Sequence, residues 1–300
     1  MLIVTSGARY IDIDAYSSII AYAKFLNLKG KNAIAYSSSP LNESVTASLK
    51  NNKYTISRHV DFNNDDKFII LDVSDPNFFD KSVDMDRIIQ IIDHHYGFEN
   101  YWDSNHNINA IIENIGAVAT IIFELYEKEN LLDSLDKDIC LLLMAAILDN
   151  TLNFKAKPTT SRDINAYTKL EKLANLNFNY AEFYFNECEQ TIKNNLKAAI
   201  LNDTKLDNTG GKVPHVFAQL AVWDSSNIID NINLVHEALS TFKEPWLMNL
   251  ISLKDVKSFL ISNDNTIKSN IEQTFNCTFN NDIAILSDVW LRKEIIKKLL

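Results

Sequence analysis

The stretch RIIQIIDHH, residues 87–95, decides the fold, because an isoleucine-rich run ends there in one aspartate and two histidines. RIIQIID (87–93) has the composition of a parallel strand that is buried on both faces. FIILDV (68–73) has the same character, and its apolar run ends at Asp72. The carboxyl ends of parallel strands form the edge of an open sheet where α/β proteins bind ligands. The two runs therefore predict a parallel sheet with a polar site at that edge.

Strands alternate with helices through the first half of the chain. Further strands are predicted at 2–6, 32–38 and 109–113, and helices at 15–28, 117–128, 137–148 and 162–174. This alternation is typical of an open α/β sheet. We therefore predict an N-terminal domain, residues 1–190, with an open, mainly parallel sheet that is flanked by helices.

A second set of elements begins near residue 189. Strands are predicted at 216–222, 246–253, 257–262 and 283–286, and helices at 189–200, 229–240, 265–274 and 292–299. A chain of 300 residues is also long for a single core. The predicted fold class is α/β with two domains, the second being a smaller C-terminal α/β domain over residues 200–300.

Charge and cysteine content exclude several classes of protein. The chain carries 39 acidic and 29 basic residues, a net charge of −10, which repels a nucleic-acid backbone. Three cysteines, far apart and odd in number, argue against a disulfide framework or a structural zinc site. There is no signal-peptide pattern and no apolar run of membrane-spanning length. We expect a cytoplasmic protein that binds neither duplex nucleic acid nor a membrane.

Four polar clusters end predicted strands or helices or follow them directly. They are Asp12 with Asp14, Asp72, Asp93 with His94 and His95, and Asp149 with Asn150. Three of them have a purely structural alternative: the first pair can cap a helix, adjacent histidines can lie on the surface, and the last pair can end a helix. Asp72 differs, because a lone buried carboxylate is costly unless it is paired or bound to metal.

The residue types in these clusters suit a divalent cation. Carboxylate oxygens with one histidine favour Mn²⁺ or Mg²⁺ over a thiolate-bound metal. A carboxylate such as Asp72 can bridge two ions about 3.5–4 Å apart, the spacing used in phosphoryl hydrolysis. Basic side chains would then hold the phosphoryl oxygens. Arginine is scarce, and the chain has five: Arg9, Arg58, Arg87, Arg162 and Arg292.

The order of these motifs resembles the DHH phosphoesterase superfamily. IIDHHYGFENYW (91–102) is close to the motif that gives the family its name, and GAVATIIFELY (116–126) and AAILDNTLNFKAKPTTSRD (145–163) resemble the motifs that follow it. VFAQLAVWD (216–224) and LSDVWLRKEIIKKL (286–299) are similar to a DHHA2-like C-terminal domain. Manganese-dependent (family II) inorganic pyrophosphatases and DHH exopolyphosphatases share that domain, so the resemblance covers nearly the whole chain.

The resemblance implies a role for individual residues. Asp12, Asp14, Asp72 and His94 are implied as metal ligands, Asp149 or Asn150 as a further ligand, and Arg9, His95, Arg292 and Lys293 as substrate contacts. Asp72 and His95 are the implied catalytic residues, with His95 touching substrate or acting as general acid. Asp93 would orient His94. The implied cofactor is Mn²⁺ or Mg²⁺, as two ions or one, and substrate would lie between the domains.

Four positions depart from the family pattern. The pyrophosphatases carry a histidine ligand where this chain has Ala8, and an aspartate where a gapless alignment puts Asn150. Tyr96 replaces an arginine that often follows DHH, and Leu291 replaces a serine of the terminal basic motif. DHH exopolyphosphatases also lack the histidine. Each departure removes a polar group, and Arg9 is a candidate to restore one phosphate contact.

Three functions follow as hypotheses. The first is a metal-dependent phosphohydrolase that cleaves phosphoanhydride bonds of pyrophosphate or short polyphosphate with a metal-activated water. The second is a phosphodiesterase on short oligonucleotides or cyclic dinucleotides, although that branch usually carries Gly-Gly-His and here Lys212 follows Gly210 and Gly211. The third is a degenerate DHH protein that binds a phosphate ligand without turnover. A homodimer is compatible with all three.

Overall fold

The computed structural model describes residues 1–8, 10–104, 108–207 and 210–300. The chain divides into two compact units, Met1–Ala181 and Glu182–Leu300. The division therefore falls somewhat earlier than the ranges 1–190 and 200–300 that the sequence suggests. Each unit has its own sheet and its own hydrophobic core.

The first unit is built on a five-stranded, all-parallel sheet in the order β2-β1-β3-β4-β5. Its strands are β1 (Leu2–Thr5), β2 (Ala33–Ala35), β3 (Lys67–Leu71), β4 (Ile88–Asp93) and β5 (Asn109–Ile112). Its helices are α1 (Ile13–Leu28), α2 (Ala47–Lys50), α3 (Glu99–Asp103), α4 (Val118–Lys128), α5 (Lys137–Thr151) and α6 (Ser161–Ala174).

Helix α1 is the central helix of this unit. It packs against β1, β2 and β3 on one side and against α4 and α5 on the other. Contact on both sides explains why nearly all of its residues are buried and why its apolar positions do not form a single stripe. The opposite face of the sheet is covered by an aromatic-rich cluster that includes Phe68, Phe79 and Trp102.

The second unit has a mixed five-stranded sheet in the order β10-β9-β8-β7-β6, in which only β7 and β8 are parallel. Its strands are β6 (Thr204–Leu206), β7 (Val216–Val222), β8 (Trp246–Ser252), β9 (Lys257–Ile261) and β10 (Ile283–Leu286). Its helices are α7 (Tyr180–Asn194, which begins in the first unit), α8 (Leu196–Asn202), α9 (Ser226–Asp230), α10 (Ile232–Leu239), α11 (Asn265–Phe275) and α12 (Arg292–Leu299).

The predicted α/β class with two sheets is confirmed, and the differences are local. The helix predicted over 189–200 is interrupted at Asn195, whose side chain accepts a hydrogen bond from Ala198 N and so begins α8. The short edge strand β6 was not predicted. Helix α5 continues beyond the predicted end at residue 148, so Asp149 and Asn150 lie in its last turn. In the described ranges, no helix has the length and apolar character needed to cross a membrane.

Candidate metal centre

The candidate site lies at the carboxyl edge of the first sheet, where β3 and β4 end. Asp72 follows β3 directly, and Asp93 is the last residue of β4. The two strands are parallel neighbours, and Asp72 N donates to Ile92 O at 2.9 Å. One ligand atom from each of Asp72, His94 and His95 lies within 4.8 Å of the other two. The structure thus brings together three residues from two strand ends.

Asp72 combines backbone strain with an unpartnered polar atom. Its φ of +61° is a left-handed conformation, which costs a non-glycine residue on the order of 1 kcal/mol. Its Oδ1 is buried and makes no hydrogen bond in the described part of the chain. Burial, reinforced by the negative charges of Asp12 and Asp14, raises the pKa of Asp72 well above its usual value. A cation at Oδ1 would offset the cost of burying this carboxylate and its repulsion by Asp12 and Asp14.

The ring of His94 is held by a backbone carbonyl. Its Nδ1 lies 3.0 Å from Ile115 O, which fits an Nδ1–H donor and leaves a lone pair on Nε2. Nε2 is 3.3 Å from Asp72 Oδ1 and 4.0 Å from Asp14 Oδ2. A histidine fixed at one nitrogen and facing carboxylates with the other is typical of metal-binding histidines.

Asp93 supports His95 rather than the ring of His94. His95 Nδ1 donates to Asp93 Oδ1 at 2.8 Å, and His94 N donates to the same oxygen at 2.7 Å. Burial lowers the pKa of His95. The hydrogen bond to Asp93 and the negative charge of Asp72 outweigh this effect, so the pKa of His95 is raised. The side chain of His95 is 59% exposed, so its ring is accessible to a ligand.

Asp12 and Asp14 both cap helices, but different ones. Asp12 is partly buried and accepts from Ala15 N at 3.0 Å, which starts α1. Asp14 is fully buried, and its carboxylate accepts from Val118 N at 2.8 Å and Ala119 N at 2.9 Å at the start of α4. Burial, opposed by the charge of His94, raises the pKa of Asp14 to about 6. The predicted cap at the start of α1 is therefore Asp12 alone, whereas Asp14 binds the amides at the start of α4 and also borders His94.

The remaining predicted residues of the first unit are Asp149, Asn150 and Arg9. Asp149 and Asn150 are partly buried in the last turn of α5. Asp149 is not in the group of ligand atoms formed by Asp72, His94 and His95 within the described ranges. Arg9 lies outside the described residues.

Arg292 and Lys293 begin α12 of the second unit and have different surroundings. The Arg292 side chain is almost fully buried. Its Nη1 donates to Asp203 O at 2.6 Å and to Phe217 O at 2.9 Å, and its Nη2 donates to Asp203 Oδ1 at 2.7 Å. Lys293 is exposed. Of the predicted basic pair, Lys293 has the freer side chain, whereas Arg292 ties α12 to its own sheet.

Asp163 is a supporting residue that the sequence reasoning missed. This fully buried carboxylate accepts from Gly116 N at 3.0 Å, Thr120 Oγ1 at 2.6 Å and Thr160 N at 2.7 Å. It therefore holds the segment 115–119, which supplies the carbonyl for His94 and the amides for Asp14. The capping-box pattern at 160–163 could have indicated the local contact, but not the contact to Gly116.

Comparison with known proteins agrees with this architecture. Residues 2–147 match the model of the DHH family, N-terminal domain. A probable manganese-dependent inorganic pyrophosphatase of Bacillus velezensis is 26% identical over 97% of this chain and 95% of its own. The structure of a candidate family II inorganic pyrophosphatase from Methanococcus jannaschii aligns with a TM-score of 0.67 at 22% identity, covering 100% of this chain and 98% of the other. An exopolyphosphatase-related protein from Bacteroides fragilis aligns with a TM-score of 0.54 at 15% identity, covering 99% and 89%.

Proposed function

Because residues 2–147 form a DHH-family N-terminal domain, we propose that this chain is a manganese-dependent hydrolase of phosphoanhydride bonds in pyrophosphate or short polyphosphate. The observation that carries the proposal is the group of Asp72, His94 and His95, in which a buried Asp72 oxygen makes no hydrogen bond within the described ranges. The relative from Bacillus velezensis, named as manganese-dependent and as a pyrophosphatase, supports the choice of metal and substrate.

The donor set fits a Mn²⁺ ion. Asp72 Oδ1 and His94 Nε2 offer an oxygen and an imidazole nitrogen, the combination that suits this metal. Asp14 offers less, because its carboxylate already accepts from two backbone amides and from Ser18 Oγ. A carboxylate has about four acceptor positions, so roughly one remains, on the Oδ2 that faces His94. Asp12 is the next candidate ligand, because its charge acts on Asp72. The proposal covers one ion or two.

The chain's own residues would then divide the chemistry. When bound, Mn²⁺ would supply an activated water and neutralise charge on the phosphoryl oxygens. As that water adds to phosphorus, the bond from that phosphorus to the bridging oxygen would break, and the proton that the water loses would go to solvent. His95 holds one ring N–H on Asp93. Burial lowers the pKa of His95, but the hydrogen bond to Asp93 outweighs burial and raises that pKa, which favours a second proton on Nε2. That proton passes to the leaving oxygen by general acid catalysis.

The test is phosphate release from pyrophosphate and tripolyphosphate by metal-stripped protein to which Mn²⁺ is returned. We expect Mn²⁺-dependent release that Asp72→Asn lowers by at least about 100-fold, since a ligand is lost. Asp75→Asn is the matched control, because Asp75 lies three residues further on and caps only a short turn. Full activity of Asp72→Asn would contradict the proposal.

A second candidate function is binding of a phosphate ligand without turnover. The observation in its favour is the nearly complete hydrogen bonding of Asp14. It reduces the number of free ligand oxygens. Calorimetric binding of Mn²⁺ and pyrophosphate with no phosphate release would select this function over hydrolysis.

A further inference from the structure

The arginines of the described chain separate into three that have carboxylate partners and one that has none. Arg87 Nε is 3.0 Å from Asp84 Oδ2, Arg162 pairs with Glu113 and Glu124, and Arg292 Nη2 is 2.7 Å from Asp203 Oδ1. Arg58 makes no ion pair within the described residues. Its Nη1 donates to two backbone carbonyls, Ser37 O at 3.2 Å and Ser39 O.

Arg58 is also anchored at the carboxyl edge of the first sheet. Residues 37–39 follow β2, which is the parallel neighbour of β1. Ser39 Oγ donates to Gly7 O at 3.0 Å, and Ile11 N donates to Pro40 O at 2.8 Å just before Asp12. In the strand order β2-β1-β3, this anchor is two strands from Asp72, about 10 Å along the edge.

Arg58 is a positive charge near several carboxylates. The same edge carries Asp12, Asp14, Asp72 and Asp93, which repel a polyanion wherever no metal neutralises them. Ser37 and Ser39 are buried, so their carbonyls hold one end of the guanidinium in place. The remaining donors, Nε and Nη2, form the planar edge that suits two phosphate oxygens. A pre-positioned fork of this kind binds with a small entropy cost.

We propose that Arg58 is a substrate-binding residue that holds a phosphoryl group beyond the one at Asp72 and His94. The substrate class rests on the proposed function. Because Arg58 is anchored two strands from Asp72, it contributes more to a chain of three phosphates than to pyrophosphate. Arg58 thereby makes the protein selective for chain length.

The experiment measures binding as well as turnover. With Mn²⁺ present, calorimetry gives the Kd for pyrophosphate and tripolyphosphate, and phosphate release gives KM and kcat. We expect Arg58→Gln to weaken the binding of tripolyphosphate by about 10- to 100-fold, which corresponds to the loss of a pair of charged hydrogen bonds. The binding of pyrophosphate should weaken by less. Arg58→Lys should recover part of the loss, and the Kd for Mn²⁺ should not change.

Arg87→Gln is the matched control, because Arg87 lies just before β4, at the amino ends of the strands and away from the carboxyl edge. It should leave both Kd values unchanged. Equal affinities for wild type and Arg58→Gln would overturn the inference. So would an equal weakening of both phosphates and of Mn²⁺ that Arg58→Lys does not rescue, because a residue that merely braces residues 37–39 would behave in that way.

The binding measurement also separates this inference from the proposed function. If wild type binds tripolyphosphate and does not hydrolyse it, while Arg58→Gln weakens binding selectively, the proposed function is wrong and the inference stands. If hydrolysis occurs and Arg58→Gln leaves both Kd and KM unchanged, the function stands and the inference is wrong. If wild type binds neither phosphate compound, both are wrong.

Discussion

Two carboxylates in the first unit, Asp72 and Asp163, are both buried but have opposite surroundings. Asp163 accepts hydrogen bonds from Gly116, Thr120 and Thr160, and both of its oxygens are used. Asp72 has a left-handed backbone and a buried Oδ1 with no hydrogen bond in the described ranges. The protein's own donors therefore satisfy both oxygens of Asp163, whereas Asp72 Oδ1 remains available to a ligand. Burial alone does not distinguish structural from functional acids. Whether each carboxylate oxygen accepts a hydrogen bond does distinguish them.

The two centres are connected through residues 115–119. Asp163 holds Gly116 N, while Ile115 O holds the ring of His94. The amides of Val118 and Ala119 hold Asp14. Asp163 thus positions the groups that surround Asp72. Substitutions at Asp163 should therefore affect both stability and metal binding.

The largest expected effect is on the stability of the metal-free protein. Asp163→Ala should lower the free energy of unfolding by about 3–5 kcal/mol, because it strands several buried donors. Asp72→Asn should leave that free energy unchanged or raise it, because it removes a buried charge that lacks a partner. Urea unfolding in EDTA measures both. Similar losses in the two variants would show that Asp72 is as structural as Asp163.

The next effect is a pH dependence that comes from Asp14. Its folded pKa of about 6 lies above the ordinary aspartate value of 3.8, so between these values the folded state binds more protons than the unfolded state. Stability from this group is present below 3.8 and is lost as pH rises through 6, by about 3 kcal/mol. Urea unfolding in EDTA at pH 4.5 and 7.5 should show a smaller decline for Asp14→Asn than for wild type. Equal declines would remove Asp14 as the source.

The smallest effect concerns the connection between the centres. A Cβ on Gly116 would lie 2.6 Å from Thr151 Cγ2 and 2.8 Å from Asp163 Oδ2. Gly116→Ala should therefore lower the free energy of unfolding by about 1–3 kcal/mol. Thr151→Ser removes the Cγ2 atom but keeps the hydroxyl that donates to Ile147 O, so it should relieve part of the loss in the double variant. Additive losses would mean that the clash with Thr151 is not the cause.

Much of the fold was predictable because its signals are local. The apolar runs at 68–73 and 87–93 became β3 and β4, and the alternation of strands and helices predicted the α/β class correctly. The resemblance to the DHH family is confirmed by the match over residues 2–147. The split between α7 and α8 was missed because a single capping residue, Asn195, interrupts an otherwise helical pattern.

The candidate site was predictable only in part, for a related reason. That Asp72, His94 and His95 meet follows from two neighbouring parallel strands that both end in polar residues. The roles of their neighbours did not follow. Asp93 supports His95 instead of the His94 ring, and Arg292 spends its donors inside its own unit. Whether a polar atom is free depends on partners that a strand or helix pattern does not specify.

The sequence by itself determined the α/β alternation and the positions of the polar strand ends, because periodicity and apolar runs act between near neighbours in the chain. Only the tertiary structure decided which of these polar groups have hydrogen-bond partners within the protein. Asp14 meets Val118 and Ala119 more than a hundred residues away, and Asp163 meets Gly116 across 47 residues. Such hydrogen bonds form only after the helices have packed. Within the described ranges they leave buried oxygens of Asp72 and Asp93 without a hydrogen bond, and of these Asp72 Oδ1 lies 3.3 Å from His94 Nε2.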